Sequence, residues 1–126
     1  MRTDRLDHLV LTVADLGATI AFYTGVLGLE EVTFSGRTAL HLGDQKINLH
    51  EAGHEFSPRA ARPTPGSGDL CFVVDGPIEA VVEHLRGHGV AVEEGPVDRT
   101  GARGPMRSVY VRDPDRNLVE LAVYPG

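Results

Sequence analysis

The amino-acid sequence repeats its own pattern, and a repeat of this kind restricts the possible architectures more than any other feature. Residues 8–15 read His-Leu-Val-Leu-Thr-Val-Ala-Asp, and residues 69–75 read Asp-Leu-Cys-Phe-Val-Val-Asp. Each is an apolar, strand-like run ending in an aspartate, a side chain suited to capping a following helix. Helical periodicity follows in both halves. Leu16, Ile20, Tyr23 and Leu27 lie at spacings of four, three and four, and Ile78, Val81, Val82 and Leu85 lie at i, i+3, i+4 and i+7. Pro77 suits a first helical turn, and Gly28 and Gly89 suit the left-handed position at a helix C-terminus. Helices are therefore expected over 16–27 and 77–88.

More strands follow each helix. Short ones are expected over 30–34 and 90–94. Residues 38–42 and 47–50 flank Gly43-Asp44-Gln45-Lys46, and 108–112 and 117–124 flank Asp113-Pro114-Asp115-Arg116, two turn signals. Each half thus reads β-α-β-β-β. The expected organisation is a first module over 1–55, a Pro/Gly-rich connector over 56–68 and a second module over 69–126. A second irregular stretch, Gly95 to Pro105, is expected to be a functional loop able to close over a ligand. A half of about 60 residues buries too little to stand alone, so two halves, or two chains, are expected to pair their sheets.

Composition agrees with a folded chain. Its 126 residues fit one domain or two half-domains sharing a core, and 41% apolar with 24% charged residues fits a globular protein. No apolar run approaches membrane-helix length. The stretch from Met1 to His8 has no apolar signal core, so a cytoplasmic location is expected. The single cysteine, Cys71, excludes an intramolecular disulfide and a multi-cysteine metal knot. The net charge of -6 disfavours nucleic acid or an anionic membrane as the main partner.

Strand alternation sorts the side chains into two faces. Leu9, Leu11 and Val13 face one way, and His8, Val10 and Thr12 the other. Leu70, Phe72 and Val74 oppose Asp69, Cys71 and Val73. Val119, Leu121 and Val123 oppose Glu120 and Ala122, and Ile47 and Leu49 oppose Asn48 and His50. The apolar faces are expected under the helices. His8, Asp69, Glu120 and Asn48 or His50 then share the second face at equivalent places in the repeat. Arg99, Arg103 and Arg107 crowd the glycine-rich stretch, and Arg103 and Arg107 are candidates for clamping a carboxylate or phosphate. His84 and His88 read as surface residues at a helix end, His41 and His54 carry no pattern, and Cys71 reads as a small buried residue rather than a nucleophile.

The whole chain resembles the vicinal oxygen chelate superfamily, which includes glyoxalase I, fosfomycin-resistance thiol transferases, bleomycin-binding resistance proteins, methylmalonyl-CoA epimerase and extradiol dioxygenases. The resemblance rests on Asp7-His8-Leu9-Val10-Leu11-Thr12-Val13-Ala14-Asp15, on Phe22-Tyr23 and Val26-Leu27-Gly28-Leu29, and on Asp113-Pro114-Asp115-Arg116-Asn117-Leu118-Val119-Glu120-Leu121. Residues 45–53 (Gln-Lys-Ile-Asn-Leu-His-Glu-Ala-Gly), Glu94-Gly95-Pro96-Val97 and Arg99-Thr100-Gly101-Ala102 are similar to a subgroup called glyoxalase domain-containing protein 5.

The resemblance implies an α+β fold in which two tandem βαβββ modules form a cupped, barrel-like mixed sheet with helices outside. It implies one divalent metal ion (Zn, Ni, Mn or Fe) held by donors from the first and last strands of each module. Here those positions are His8, Asn48, Asp69 and Glu120. Asp69 stands where a second histidine is usual, and Asn48 where glyoxalase I has a carboxylate; His50 is an alternative to Asn48. Arg116 replaces a usual turn glycine, so the geometry of this turn is expected to differ slightly. The implied function is a metal-dependent lyase or isomerase. It would bind a small substrate through two neighbouring oxygens and stabilise an oxyanion or enediolate, with Glu120 or Asp69 as the base. Dioxygenase chemistry fits less well, because position 69 is not histidine. The alternative is a metal-free, drug-sequestering protein of the bleomycin-resistance type. A C2 homodimer is the expected assembly.

Overall fold

The computed structural model describes residues 1–126. The element order is β1 (His8–Val13), α1 (Leu16–Gly25), β2 (Glu30–Phe34), β3 (Arg37–Leu42), β4 (Gln45–Glu51), β5 (Asp69–Val73), α2 (Ile78–Gly87), β6 (Glu94–Gly101), β7 (Gly104–Arg112) and β8 (Leu118–Val123). The chain divides into two compact units, Met1–Gly66 and Ser67–Gly126. Each has the βαβββ order read from the repeat.

Each unit builds its own four-stranded sheet, ordered β1-β4-β3-β2 in the first and β5-β8-β7-β6 in the second. The first and last strands pair in parallel and the rest antiparallel. The strands therefore form two mixed sheets rather than one continuous barrel-like sheet. A parallel neighbour requires a crossover, and α1 and α2 with the strands after them supply it.

In the first unit α1 lies against β2, β3 and β4, and Leu11, Val13, Leu40, Ile47 and Leu49 of the sheet are buried. Asp15 caps α1, its carboxylate accepting from the Ala18 N–H at 3.0 Å. The helix buries Thr19 and Tyr23, one turn apart. Leu16, Ile20 and Leu27 of the expected stripe are only half-buried, so Tyr23 anchors the helix with Thr19 rather than with them. In the second unit Ile78, Val81 and Leu85 are buried as the periodicity requires, over Val109, Val111, Val119 and Leu121. Asp75 does not cap α2; Pro77 occupies that position and offers no side-chain acceptor.

The larger departure is at residues 90–105. Residues 90–93 form no strand, and the expected loop is instead the β6–β7 hairpin. Composition misleads here because Gly95, Pro96 and Gly101 sit inside a strand that tolerates them at its edge and at a bulge. Between Glu94 and Val97 the register shifts, so β6 carries one residue more than β7 over that step. Side chains 94, 97 and 99 consequently share a face, which plain alternation forbids. Arg116 has φ 68°, the left-handed conformation that a glycine adopts readily, so the expected change of turn geometry is not seen in its φ.

Candidate functional site

The face of each sheet turned away from its helix holds the chemistry. In the first unit, register places His8 beside Lys46, Val10 beside Asn48, and Thr12 beside His50. Asn48 also faces Ala39 across the β3–β4 ladder. The His8 ring is about half-exposed, and its Nδ1 lies 2.7 Å from the Asp7 carboxylate. That contact, more than the nearby charge of Lys46, holds the Asp7 carboxyl below the usual carboxylate range. His50 is buried and meets Phe56 edge-on, with ring centroids 5.6 Å apart.

In the second unit one row runs Cys71–Glu120–Tyr110–Glu94, and the next runs Val73–Ala122–Ser108–Val97. Asp69 begins its strand opposite Leu118 and is exposed. Arg99 reaches over this face. Its Nε donates to the Tyr110 phenol oxygen at 2.9 Å and its guanidinium pairs with Glu94 at 2.8 Å. Arg112 grips Glu93 through two hydrogen bonds of 2.9 and 3.0 Å. Sequence reasoning missed Tyr110, Glu94 and Lys46. Their place is set by register, and for Glu94 by the bulge, neither of which alternation alone reveals.

Four buried side-chain oxygens or hydroxyls have no hydrogen-bond partner: Thr19 Oγ1, Asn48 Oδ1, Ser108 Oγ and Glu120 Oε2. Three of these lie on the two chemistry-bearing faces. A polar atom desolvated without a partner costs about 1–3 kcal/mol, and a carboxylate oxygen more. These faces are thus prepared for something that donates hydrogen bonds or positive charge. No three His, Cys, Asp or Glu side chains converge closely enough in the chain to hold a metal ion by themselves.

The arginine candidates diverge. Arg107 pairs with Asp98 at 2.9 Å, which uses its charge locally. Arg103 has no carboxylate partner and lies over the Tyr124 ring at 5.2 Å, while its backbone N–H donates to the Tyr124 hydroxyl. A cavity of about 720 Å³ opens between the start of α2 and the β6–β7 hairpin, lined in part by Pro77, Ile78, Met106, Arg107 and Tyr124. It includes neither Glu120 nor Tyr110, so this cavity and the titratable row do not coincide. The His84 and His88 rings meet at a tilt of 43° at the end of α2, with centroids 4.4 Å apart.

Cys71 is exposed rather than buried. Partial desolvation, and then the charges of Glu120 and Asp69, push its thiol up to about 11 from 9.0. The thiolate is the reactive form, and each unit of raised pKa lowers its fraction about tenfold near neutrality. At pH 8, in chelator, we expect iodoacetamide to alkylate Cys71 about 100-fold more slowly in the folded chain than in denaturant. Equal rates would show that neither Glu120 nor Asp69 restrains it.

Residues 5–121 match the family model described as Glyoxalase/Bleomycin resistance protein/Dioxygenase superfamily. The chain belongs to this superfamily. Virulence protein STM3117 of Salmonella typhimurium is 55% identical over 98% of this chain and 87% of its own length. Its crystal structure superposes with a TM-score of 0.97, covering 99% of this chain and 100% of that one. The glyoxalase domain-containing protein RDO1 of Mycosarcoma maydis is 58% identical over 94% of this chain and 68% of its own length. Among more distant superfamily structures, lactoylglutathione lyase from Agrobacterium tumefaciens is 27% identical, covers 98% of this chain and 96% of that chain, and gives a TM-score of 0.74. TnmS3, an antibiotic binding protein from Streptomyces, shares the superfamily fold at 21% identity and a TM-score of 0.78, covering 99% of each chain. No helix is long and apolar enough to cross a membrane.

Proposed function

We propose that the chain is a metal-dependent enzyme of the glyoxalase type, acting on a small substrate that offers two neighbouring oxygens. In this reading a divalent ion is held by His8, Asp69 and Glu120, with Asn48 or His50 as a further ligand or substrate contact. The observation that carries the reading is the buried Glu120 oxygen without a donor. A cation there removes the cost of desolvating a carboxylate. One imidazole and two carboxylates suit Zn, Ni, Mn or Fe better than a soft metal. When bound, such an ion supplies Lewis acidity to both substrate oxygens. Glu120 takes the proton beside the substrate carbonyl when the other donors hold the ion. Tyr110 accepts from Arg99, which leaves its own O–H free to donate to a developing oxyanion. Arg103 and Arg107 are the hairpin's candidates for a substrate anion.

The working form in this reading is a cytoplasmic C2 homodimer. His8 comes from the first module and Asp69 and Glu120 from the second, of one chain or of two. The similarity to lactoylglutathione lyase supports the enzyme reading. Asn48, a neutral and weak metal ligand, favours the second reading, a metal-free binding protein that sequesters small molecules.

The test is elemental analysis of untagged, dialysed protein beside His8→Ala and Glu120→Ala, with circular dichroism to verify folding. About one equivalent of a transition metal per chain, lost in both folded variants, supports the enzyme. No metal, before or after addition, overturns it in favour of sequestration; full metal in both variants places any ion elsewhere. A dimer gives about 27 kDa by light scattering, twice the 13.6 kDa chain, and a monomer overturns that part. Mixed dimers of the two variants retain about half the metal if each site draws on two chains, and none if it draws on one.

A further inference from the structure

We propose that Lys46 and Arg37 form an anion subsite on the first module, so that the substrate carries a carboxylate or phosphate besides its chelating oxygens. The inference rests on the preceding reading of a small oxygen-rich substrate, and it names the class more closely.

The two cations lie on the same face of the first sheet. Lys46 is the register partner of His8, and Arg37 is the partner of Phe34 across the β2–β3 turn. Neither makes a hydrogen bond or ion pair with a carboxylate. The Lys46 ammonium sits 4.0 Å above the Phe34 ring and the Arg37 guanidinium 4.0 Å above the Phe56 ring. Elsewhere Arg5, Arg86, Arg99, Arg107 and Arg112 each find a carboxylate in this acidic chain. A ring contact holds a cation in place without neutralising its charge. Lys46 and Arg37 thus keep N–H donors that no carboxylate uses.

The other ionisable groups of this face leave room for an anion. Glu30 stands at the far edge, opposite His41. Asp7, which also feels the Lys46 charge, is occupied by the His8 ring, and Glu55, near His50, accepts from the Gly53 N–H. Between the Lys46 rung and the His50 rung lies the orphaned Asn48 oxygen, an acceptor suited to a hydroxyl on the same ligand. Phe34 and Phe56 give the ligand apolar walls. Two ring-held cations with unused donors, an orphaned acceptor between rungs and apolar walls match a small hydroxylated acid or phosphate ester.

The test follows the histidine side chains by NMR while inorganic phosphate, and separately succinate, is added in the presence of chelator. We expect saturable shifts of the His8 and His50 rings, weakened at least about tenfold in Lys46→Met and in Arg37→Met, restored in Lys46→Arg and unchanged in Arg86→Met, whose guanidinium pairs with Glu83 on α2. Tighter binding of succinate assigns an organic acid, and tighter binding of phosphate assigns a phosphate ester. Absence of saturation with both anions overturns the subsite, as does unchanged affinity in the Lys46 and Arg37 variants; an equal loss in Arg86→Met shows general charge attraction and also overturns it. Chelator separates this result from the metal reading, and Lys46→Met is expected to retain the metal content of the unaltered protein.

Discussion

Replacing Asp113 by alanine is expected to lower stability by about 3 kcal/mol or more, and to lower the melting temperature by about 10 °C. Asp113 is 5% exposed, and its carboxylate accepts from the N–H groups of Asp115 and Asn117 and from the Asn117 side-chain amide, at 3.0, 2.9 and 2.8 Å. The Asn117 amide oxygen in turn accepts from the Gly68 N–H at 2.7 Å, which ties the β7–β8 turn to the residue before β5. Removing the carboxylate leaves three donors without it in a place water hardly reaches, and such groups cost more than a lost exposed hydrogen bond. Asp113→Asn keeps one acceptor and should cost less. Thermal unfolding of both variants checks the order, and an Asp113→Ala melting temperature within 2 °C of the unaltered protein would overturn this account.

Gly95→Ala is the second large effect, expected at about 2–4 kcal/mol. Gly95 has φ +106°, and a Cβ there would lie 2.5 Å from the Ser108 carbonyl oxygen and 3.0 Å from Val109 Cα. Both are backbone atoms of the neighbouring strand, so no rotamer change relieves the contact. The cost also falls on the site. The bulge is what brings Glu94 and Arg99 to one face, and if it shifts, Arg99 loses Glu94 or Tyr110. Gly95→Ala should therefore melt lower and also show an altered Tyr110 ring signal in NMR. An unperturbed Tyr110 in a destabilised variant would show that the bulge and the Arg99 contacts are independent.

Much of this architecture is legible in the sequence because it depends on local signals. Alternation in β1 and β8, the helical spacing of Ile78, Val81 and Leu85, and the glycines at 28 and 89, with φ +75° and +69°, each follow from one segment's chemistry. The β6 strand is not legible, because Gly95, Pro96 and Gly101 imitate a loop and its pairing comes from β7. The candidate donors His8, Asp69, Asn48 and Glu120 are visible as polar residues at matching places in a repeat. Neighbours such as Tyr110 beside Glu120, and Lys46 beside His8, depend on register, which is set by strands far apart in the chain. Cys71 misled because its residue type is usually buried, whereas its strand stands at the edge of its sheet.

The parallel pairing of β1 with β4, and of β5 with β8, also orders events in time. The hairpins β2–β3–β4 and β6–β7–β8 close short loops, whereas each parallel seam closes a loop of roughly 40 to 50 residues at greater entropic cost. Loop-closure entropy therefore favours early hairpins and late docking of the edge strands β1 and β5. His8 and Asn48 straddle one seam, and Cys71 and Glu120 straddle the other. The donor groups thus span the seams that close the longest loops, and whatever binds them acts as a clasp on the last strands to arrive.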